Sequence, residues 1–141
     1  IVNEVIDKLE KADGLIVGTP VYYASPNGTL VSLLDRVFYA HGGYPHKPAA
    51  AIASARRAGT VVSVDELNKY FTISQMPVVS STYWNEVHGS KAEDVMLDEE
   101  GVATMRNLAL NMAWMLRLIA CGREHGILPP VTNTVKTNFI R

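Results

Sequence analysis

What this chain can fold into is limited most by the stretch between Gly14 and Asp35. Leu15, Ile16 and Val17 form a short apolar run without a charge, with Gly18 beyond it, as suits a parallel strand covered on both faces. The loop that follows carries Pro20, the paired Tyr22 and Tyr23, Ser25, Asn27 and Gly28. Leu30, Leu33, Leu34, Val37 and Phe38 then recur at helical spacing. Ligands in open α/β sheets sit at the carboxyl ends of the strands. The loop therefore falls where backbone amides and two aromatic rings can hold a flat ligand.

The same alternation continues to both sides. Ile1, Val2, Val5, Ile6 and Leu9 lie on one face of an amphipathic helix. Strands are predicted at residues 15–19, 49–54 and 77–81, with helices between and after them, the pattern of a parallel sheet. A Gly- and Pro-punctuated loop, His41-Gly-Gly-Tyr-Pro-His-Lys-Pro48, leads into the small-residue strand at Ala49. Ser63-Val-Asp-Glu66 reads as a capping box opening a helix, and Ser90-Lys-Ala-Glu93 as another on a short helical excursion. Asp98 can cap the last long helix, whose core stripe is Val102, Met105, Leu108, Ala109, Met112, Ala113, Leu116 and Ile119. Gly122 or Gly126 ends that helix, and residues 128–141 read as extended coil.

The chain has 141 residues, 48% of them hydrophobic, which is material for the core of one domain. A formal charge of -1 offers no electrostatic case for nucleic acid or an anionic membrane, so neither is expected as a partner. The apolar stretches fall far short of the ~20 residues that a membrane helix needs. One cysteine, Cys121, leaves no internal disulfide and fits a reducing cytoplasm, and its helical setting suggests a packed thiol.

The strand ending in Pro20, the aromatic-polar stretch of Val21, Tyr22, Tyr23, Ser25, Gly28 and Leu30, and the helix carrying Asp35 resemble the flavin-contacting loop of flavodoxin-like NAD(P)H-dependent FMN reductases. Pro77-Val-Val-Ser-Ser-Thr-Tyr-Trp-Asn85, Val87-His-Gly89, Asn111-Met-Ala-Trp-Met-Leu116 and Thr137-Asn-Phe-Ile-Arg141 are similar to the subgroup related to iron-sulfur flavoproteins. The resemblance implies an α/β fold, a three-layer open parallel sheet of order 2-1-3-4-5 in the intact protein, with strands 3, 4 and 5 present here. Two βα units would then precede Ile1, on the order of 60 residues at about 30 each. By the same resemblance, those units carry the loop for the FMN phosphate and any cysteines for an iron-sulfur cluster. Residues 1–141 are accordingly expected to be the C-terminal portion of a single domain, its first strand exposed as an edge that some other element covers.

Three loops hold the candidate site. Pro20, Val21, Tyr22, Tyr23, Ser25, Asn27 and Gly28 would contact the flavin, unless the tyrosines merely cover the core at the sheet's end. Ser54, Ala55, Arg56, Arg57 and Gly59 open on the same edge. One arginine can face the electron-rich side of the ring and the other solvent or a cofactor phosphate, or both can belong to a solvated turn. Tyr83, Trp84, Asn85 and His88 would line a substrate pocket or a subunit contact, with ordinary loop packing as the alternative. Neither a zinc-type ligand spacing, nor Gly-x-Ser-x-Gly, nor the Gly-x-Gly-x-x-Gly fingerprint occurs, so neither a catalytic side chain nor a metal site is expected. The flavin carries the chemistry.

The activity implied is hydride transfer from NAD(P)H through bound FMN to a flavin, a quinone or another small acceptor, by a homo-oligomer, dimer or tetramer. A flavodoxin-type electron carrier without turnover is one rival, which the near-neutral charge disfavours, and a non-catalytic interaction module on the same fold is the other.

Overall fold

Leu15–Tyr22 form β1 and Ala49–Ala55 form β3, in parallel register from Leu15 against Ala49 to Pro20 against Ser54. They are seen in a computed structural model that describes residues 1–139; Ile140 and Arg141, the end of the expected extended tail, lie outside the described residues. Between them stand β2 (Ser25–Pro26), which folds back antiparallel on Val21 and Tyr22, and helix α2 (Gly28–His41). Helix α1 (Val2–Lys11) precedes β1 and α3 (Thr60–Ile73) follows β3. A short parallel strand, β4 (Glu86–His88), a 3-10 turn (Ala92–Leu97) and a long helix, α4 (Glu99–Glu124), complete the order. The sheet order is β2-β1-β3-β4.

Two helical layers flank the sheet. On one face Leu9, Leu34, Val37, Phe38, Val64, Leu67 and Phe71 of α1, α2 and α3 pack on Val17, Ala51 and Ala53. On the other, Leu108 and Met112 of α4 cover Ala50 and Val79. Ala49, Ala50, Ala51 and Ala53 of β3 are almost wholly buried, because a strand of mostly small side chains lets helices approach from both sides. On the α4 side the cover stops at β3. Ile16 is 48% exposed there, beside a hollow of about 230 Å³ lined by Gly18, Pro20, Ile52, Ser54 and Val87. Only the carboxyl end of β1 meets β2, so the edge expected to be covered is paired there alone among the described residues.

The strand expected at residues 77–81 does not form. Val78 makes a single bridge to Ala49, with Ala49 N donating to Pro77 O at 2.9 Å and Val79 N to Ala49 O at 2.8 Å. The polar run that follows bonds to α4 instead of to β3. Asn111 Nδ2 donates to Ser80 O at 2.8 Å, Ser81 Oγ to Thr104 O at 2.6 Å, and Asn107 Nδ2 to Thr82 Oγ1 at 3.1 Å. The chain rejoins the sheet where Ala53 N donates to Asn85 O at 2.9 Å, and β4 runs from the next residue.

Helix starts differ from expectation in two places. Ser63 does not open α3; the helix begins at Thr60 with Gly59 as its cap, and the buried Ser63 hydroxyl donates back to Gly59 O at 2.9 Å. Ser90 likewise precedes rather than caps the 3-10 turn, its backbone N donating to Asp94 Oδ2 at 3.1 Å. Asp98 caps α4 as expected, accepting from Gly101 N at 2.9 Å, and Gly126 follows its end at a φ of 76°. The buried stripe of α4 runs through Gly101, Thr104, Leu108 and Met112, while Ala109, Ala113 and Cys121 face solvent. The thiol expected to be packed is thus exposed.

Tyr70 on α3 donates its hydroxyl to Asp35 Oδ1 of α2 at 2.5 Å. Burial, then that carboxylate, hold the phenol well above its ordinary value near 10.0. The unfolded chain gives up the proton first, so this stabilisation is complete below about pH 10 and is lost as pH rises beyond it. Tyr70→Phe is expected to lose stability less steeply than the wild type between about pH 9 and about pH 11, read from denaturant midpoints. Equal slopes in the two proteins would show that the pair carries no such linkage.

Candidate functional site

Three loops leave the carboxyl ends of the parallel strands side by side. In the first, Thr19 Oγ1 accepts from Asn27 N at 2.9 Å and donates to Pro20 O at 2.9 Å, which closes the loop on its own strand. Tyr22 is 61% exposed and Tyr23 fully so; the reading that they cover the core does not hold. Tyr23 sits at a φ of 61°, where a bulky side chain is uncommon and costs about 1–2 kcal/mol. A strained aromatic with its ring in solvent does nothing for packing, and such strain concentrates at ligand sites. Ser25 is exposed in β2, while Asn27 spends its side chain on the fold: Oδ1 accepts from Thr29 N at 2.8 Å and Leu30 N at 3.2 Å. Of the Asn27 side chain expected to contact flavin, the carbonyl is therefore committed to capping α2. Gly28 has open space about it, so a backbone approach there is sterically free.

The second loop touches the first. Gly59 has a φ of 92°, and a Cβ there would lie 2.8 Å from Val21 Cγ1, so glycine is what allows the two loops to meet. Ser54 and Ala55 are half-buried at the end of β3; Arg56 and Arg57 are exposed, and neither forms an ion pair with the described residues. Two unneutralised guanidiniums at this edge suit an anionic or electron-rich ligand.

The third loop carries Tyr83 and Trp84, packed edge to face with centroids 4.8 Å apart at 79°, each 52% exposed. Asn85, placed with them in a pocket by the sequence, is 7% exposed, and its backbone oxygen is held by Ala53 N. It belongs to the sheet, though its Oδ1, like Glu86 Oε2, is buried with no partner among the described residues. His88 ends β4 in register with Ala55, and Gly89 N donates to Ala55 O at 3.1 Å. Its backbone N donates to Asp98 Oδ2 at 2.7 Å, and its Nδ1 lies 3.6 Å from the same oxygen. A small hollow of about 50 Å³ joins His88 and Asp98 to Tyr83, Trp84, Glu86, Glu100 and Thr104. The N–H of Gly101 first, then that of His88 and its ring, keep the Asp98 carboxyl below the usual range. Only the capping role of Asp98 was legible in the sequence; its pairing with His88 spans ten residues and a 3-10 turn, and no local pattern signals it.

The remaining histidines stand apart from these loops. His41 stacks on Tyr44 at 4.0 Å, and His125 neighbours the exposed Cys121 at 3.7 Å. Larger hollows, of about 290 and 340 Å³, lie against α4, one lined by Glu10, Lys47 and Arg123, the other by Pro77, Met115 and Leu128. Neither adjoins a strand's carboxyl end, where open α/β sheets bind their ligands.

Comparison with known proteins places both the sequence and the fold. An iron-sulfur flavoprotein of Methanocaldococcus jannaschii is 29% identical over 127 residues, which cover 84% of this chain and 66% of that protein. A second from the same organism is 31% identical over 119 residues, 74% and 59% of the two chains, and one from Methanosarcina thermophila is 26% identical over 128, 86% and 65%. The chain thus spans 59% to 66% of the length of these curated relatives. Among solved structures, the metal-soaked Flv1 flavodiiron core from Synechocystis sp. PCC6803 superposes with a TM-score of 0.63 at 12% identity, over 84% of this chain and 27% of that one. At that identity the likeness is one of fold, and the fold is flavodoxin-like. The sequence model of NADPH-dependent FMN reductases matches residues 1–91, which hold all three loops, and the chain accordingly belongs to that family.

Proposed function

We propose that this chain forms the ring-binding part of an FMN-dependent oxidoreductase that takes hydride from NAD(P)H and delivers electrons to a flavin, a quinone or another small acceptor. The observation that carries this reading is the carboxyl-edge arrangement itself: the strained, solvent-facing Tyr23 and its neighbour Tyr22 beside a second loop pressed against Val21 through Gly59. A flat ring with polar edges fits such a surface, which supplies aromatic faces, backbone groups and two free arginines. When bound, FMN would supply the hydride chemistry. Tyr22 and Tyr23 would pack at the ring, the backbone from Pro20 to Ser25 and at Gly59 would read its edge, and Arg56 or Arg57 would set positive charge near it. For the phosphate, the N-terminus of α2 is already occupied by the side chain of Asn27, whereas that of α3 has no side-chain cap.

The relatives are named iron-sulfur flavoproteins, and a cluster in the whole protein would need several thiolates. The single cysteine here lies on α4, so cluster ligands would come from other residues. We further propose a homo-oligomer, in keeping with the exposed Leu110, Trp114 and Leu118 of α4, working in a reducing cytoplasm. No helix among the described residues is long and apolar enough to cross a membrane.

Anaerobic titration of the intact flavoprotein tests the reading. Addition of NADH or NADPH should bleach the flavin absorbance, and an acceptor should restore it. Flavin that stays oxidised with both nicotinamides would favour the electron carrier; a protein that takes up no flavin would favour the interaction module.

A further inference from the structure

We infer that residues 128–139 are an arm exchanged between two copies of this chain, each arm laying Val135 and Phe139 on the other copy's α4, from Leu110 to the hollow beside Leu118. The inference rests on the homo-oligomer proposed above and names the segment that makes it.

In its own copy the arm packs on nothing. Every residue from Leu128 to Phe139 is exposed, and Val131, Val135 and Phe139 are 99%, 94% and 91% exposed. Among the described residues no backbone hydrogen bond fixes residues 128–137, and Thr132 Oγ1 donates to Gln75 Oε1 at 3.4 Å as their side-chain tie to the body. Pro129 and Pro130 hold φ near -65° and keep the residue before each extended, so the arm is stiff where it departs. It is directed away from its own α4.

The composition is that of a segment built to lie on a surface. A tail that stays in water is rich in charge and poor in apolar residues, yet Lys136 is the one charged residue from 128 to 139. Val131, Thr132, Thr134, Val135 and Thr137 are β-branched and favour extended chain. Alternation then puts Val131, Val135 and Phe139 on one side and Thr132, Thr134, Lys136 and Asn138 on the other. One side suits an apolar surface, the other water.

α4 offers the surface. Leu110, Trp114 and Leu118 stand four residues apart in a row along its outside, 65%, 57% and 47% exposed. Leu118 also borders the hollow of about 340 Å³ that Met115, Ile119 and Pro77 line. The spacings agree. Leu110 and Leu118 are about 12 Å apart along the helix, and Val135 and Phe139 about 13 Å apart along an extended arm. With the Phe139 ring in the hollow, Val135 reaches Leu110. The area is sufficient as well. An extended chain exposes roughly 160 Å² per residue, so residues 128–139 present roughly 1,900 Å², of which one side is about half. Two arms exchanged about a twofold axis, with the surface they cover, exceed the about 1,600 Å² of a standard stable interface.

Sedimentation equilibrium of the intact protein tests this, with variants in an arm whose side chains have no packing in their own copy to lose. The wild type should be a dimer or a multiple of one. Val135→Asp combined with Phe139→Asp should weaken the dissociation constant by about 100-fold, as should Trp114→Glu, while Val135→Leu combined with Phe139→Leu should assemble like the wild type. A benzophenone side chain in place of the Phe139 ring should, on illumination, join two copies, with the bond mapping to residues 110–122. An assembled wild type whose dissociation constant is unmoved by the two aspartates would overturn the arm and leave the homo-oligomer standing. A photo-bond formed within one copy, or to another surface of the second, would overturn it too. A monomeric wild type would overturn the homo-oligomer reading itself, and this inference with it.

Discussion

Gly59→Val is expected to cost about 2–4 kcal/mol of stability and to release flavin from the intact protein. Two penalties act at one residue. A φ of 92° is territory that β-branched residues avoid, at about 1–2 kcal/mol, and the new Cβ would stand 2.8 Å from Val21 Cγ1. Val21 cannot yield cheaply, because it is paired with Pro26 in the hairpin that shapes the first loop. The strain would therefore travel into the residues proposed to read the flavin. Denaturant midpoints and retained flavin, measured together, check this, with Gly28→Ala as the contrast. Gly28 opens α2 with nothing within 4 Å of where a Cβ would sit, so alanine there should leave stability unchanged or slightly higher. Lost flavin with intact stability in Gly28→Ala would place the ligand against that backbone. A loss below about 1 kcal/mol in Gly59→Val would mean that the two loops do not depend on each other.

How much of this was readable beforehand follows from where the physics is local. β1 and β3 were legible because Leu15, Ile16 and Val17, and the alanines from Ala49, are short apolar runs bounded by turn signals; of the two only β3 is covered on both faces, and the cover expected on both faces of β1 is missing at Ile16. Asp98 was legible as a cap because the residue type and the apolar periodicity behind it are both local. The strand expected at residues 77–81 failed because Ser80, Ser81 and Thr82 had a better partner than β3, the polar side of a helix some 25 residues further on. Ser63 matched a capping box, yet the left-handed Gly59 started the helix sooner, and the serine hydroxyl was drawn inside its first turn. In the site, the strand-loop-helix order located the three loops and their tyrosines, tryptophan and arginines. It could not assign Asn27, whose side chain the helix takes for its own cap, or Asn85, which the sheet buries. The His88–Asp98 pair was illegible for the opposite reason: neither residue is unusual until β4 and the start of α4 are brought together.

Replacing Tyr22 and Tyr23 together by alanine should separate binding from stability more cleanly than any other change. Each aromatic contact at a ring is worth about 0.5–1.5 kcal/mol, so losing both predicts flavin affinity weaker by about tenfold to a hundredfold. Stability should move by no more than about 0.5 kcal/mol, since Tyr22 is 61% exposed and Tyr23 has no burial to lose. Truncating a packed ring such as Phe71, which is wholly buried, would instead cost about 3–5 kcal/mol. The measurement pairs a flavin dissociation constant, from the quenching of flavin fluorescence, with a melting temperature on the same preparation. Normal flavin retention combined with a stability loss on the Phe71 scale would make the tyrosines structural and remove the main support for a ring site at this edge. The single variants carry further information. If both rings touch one flat ligand, their effects should add to within about 0.5 kcal/mol, whereas a Tyr23 effect that vanishes once Tyr22 is gone would mean that only Tyr22 meets the flavin and Tyr23 acts through it.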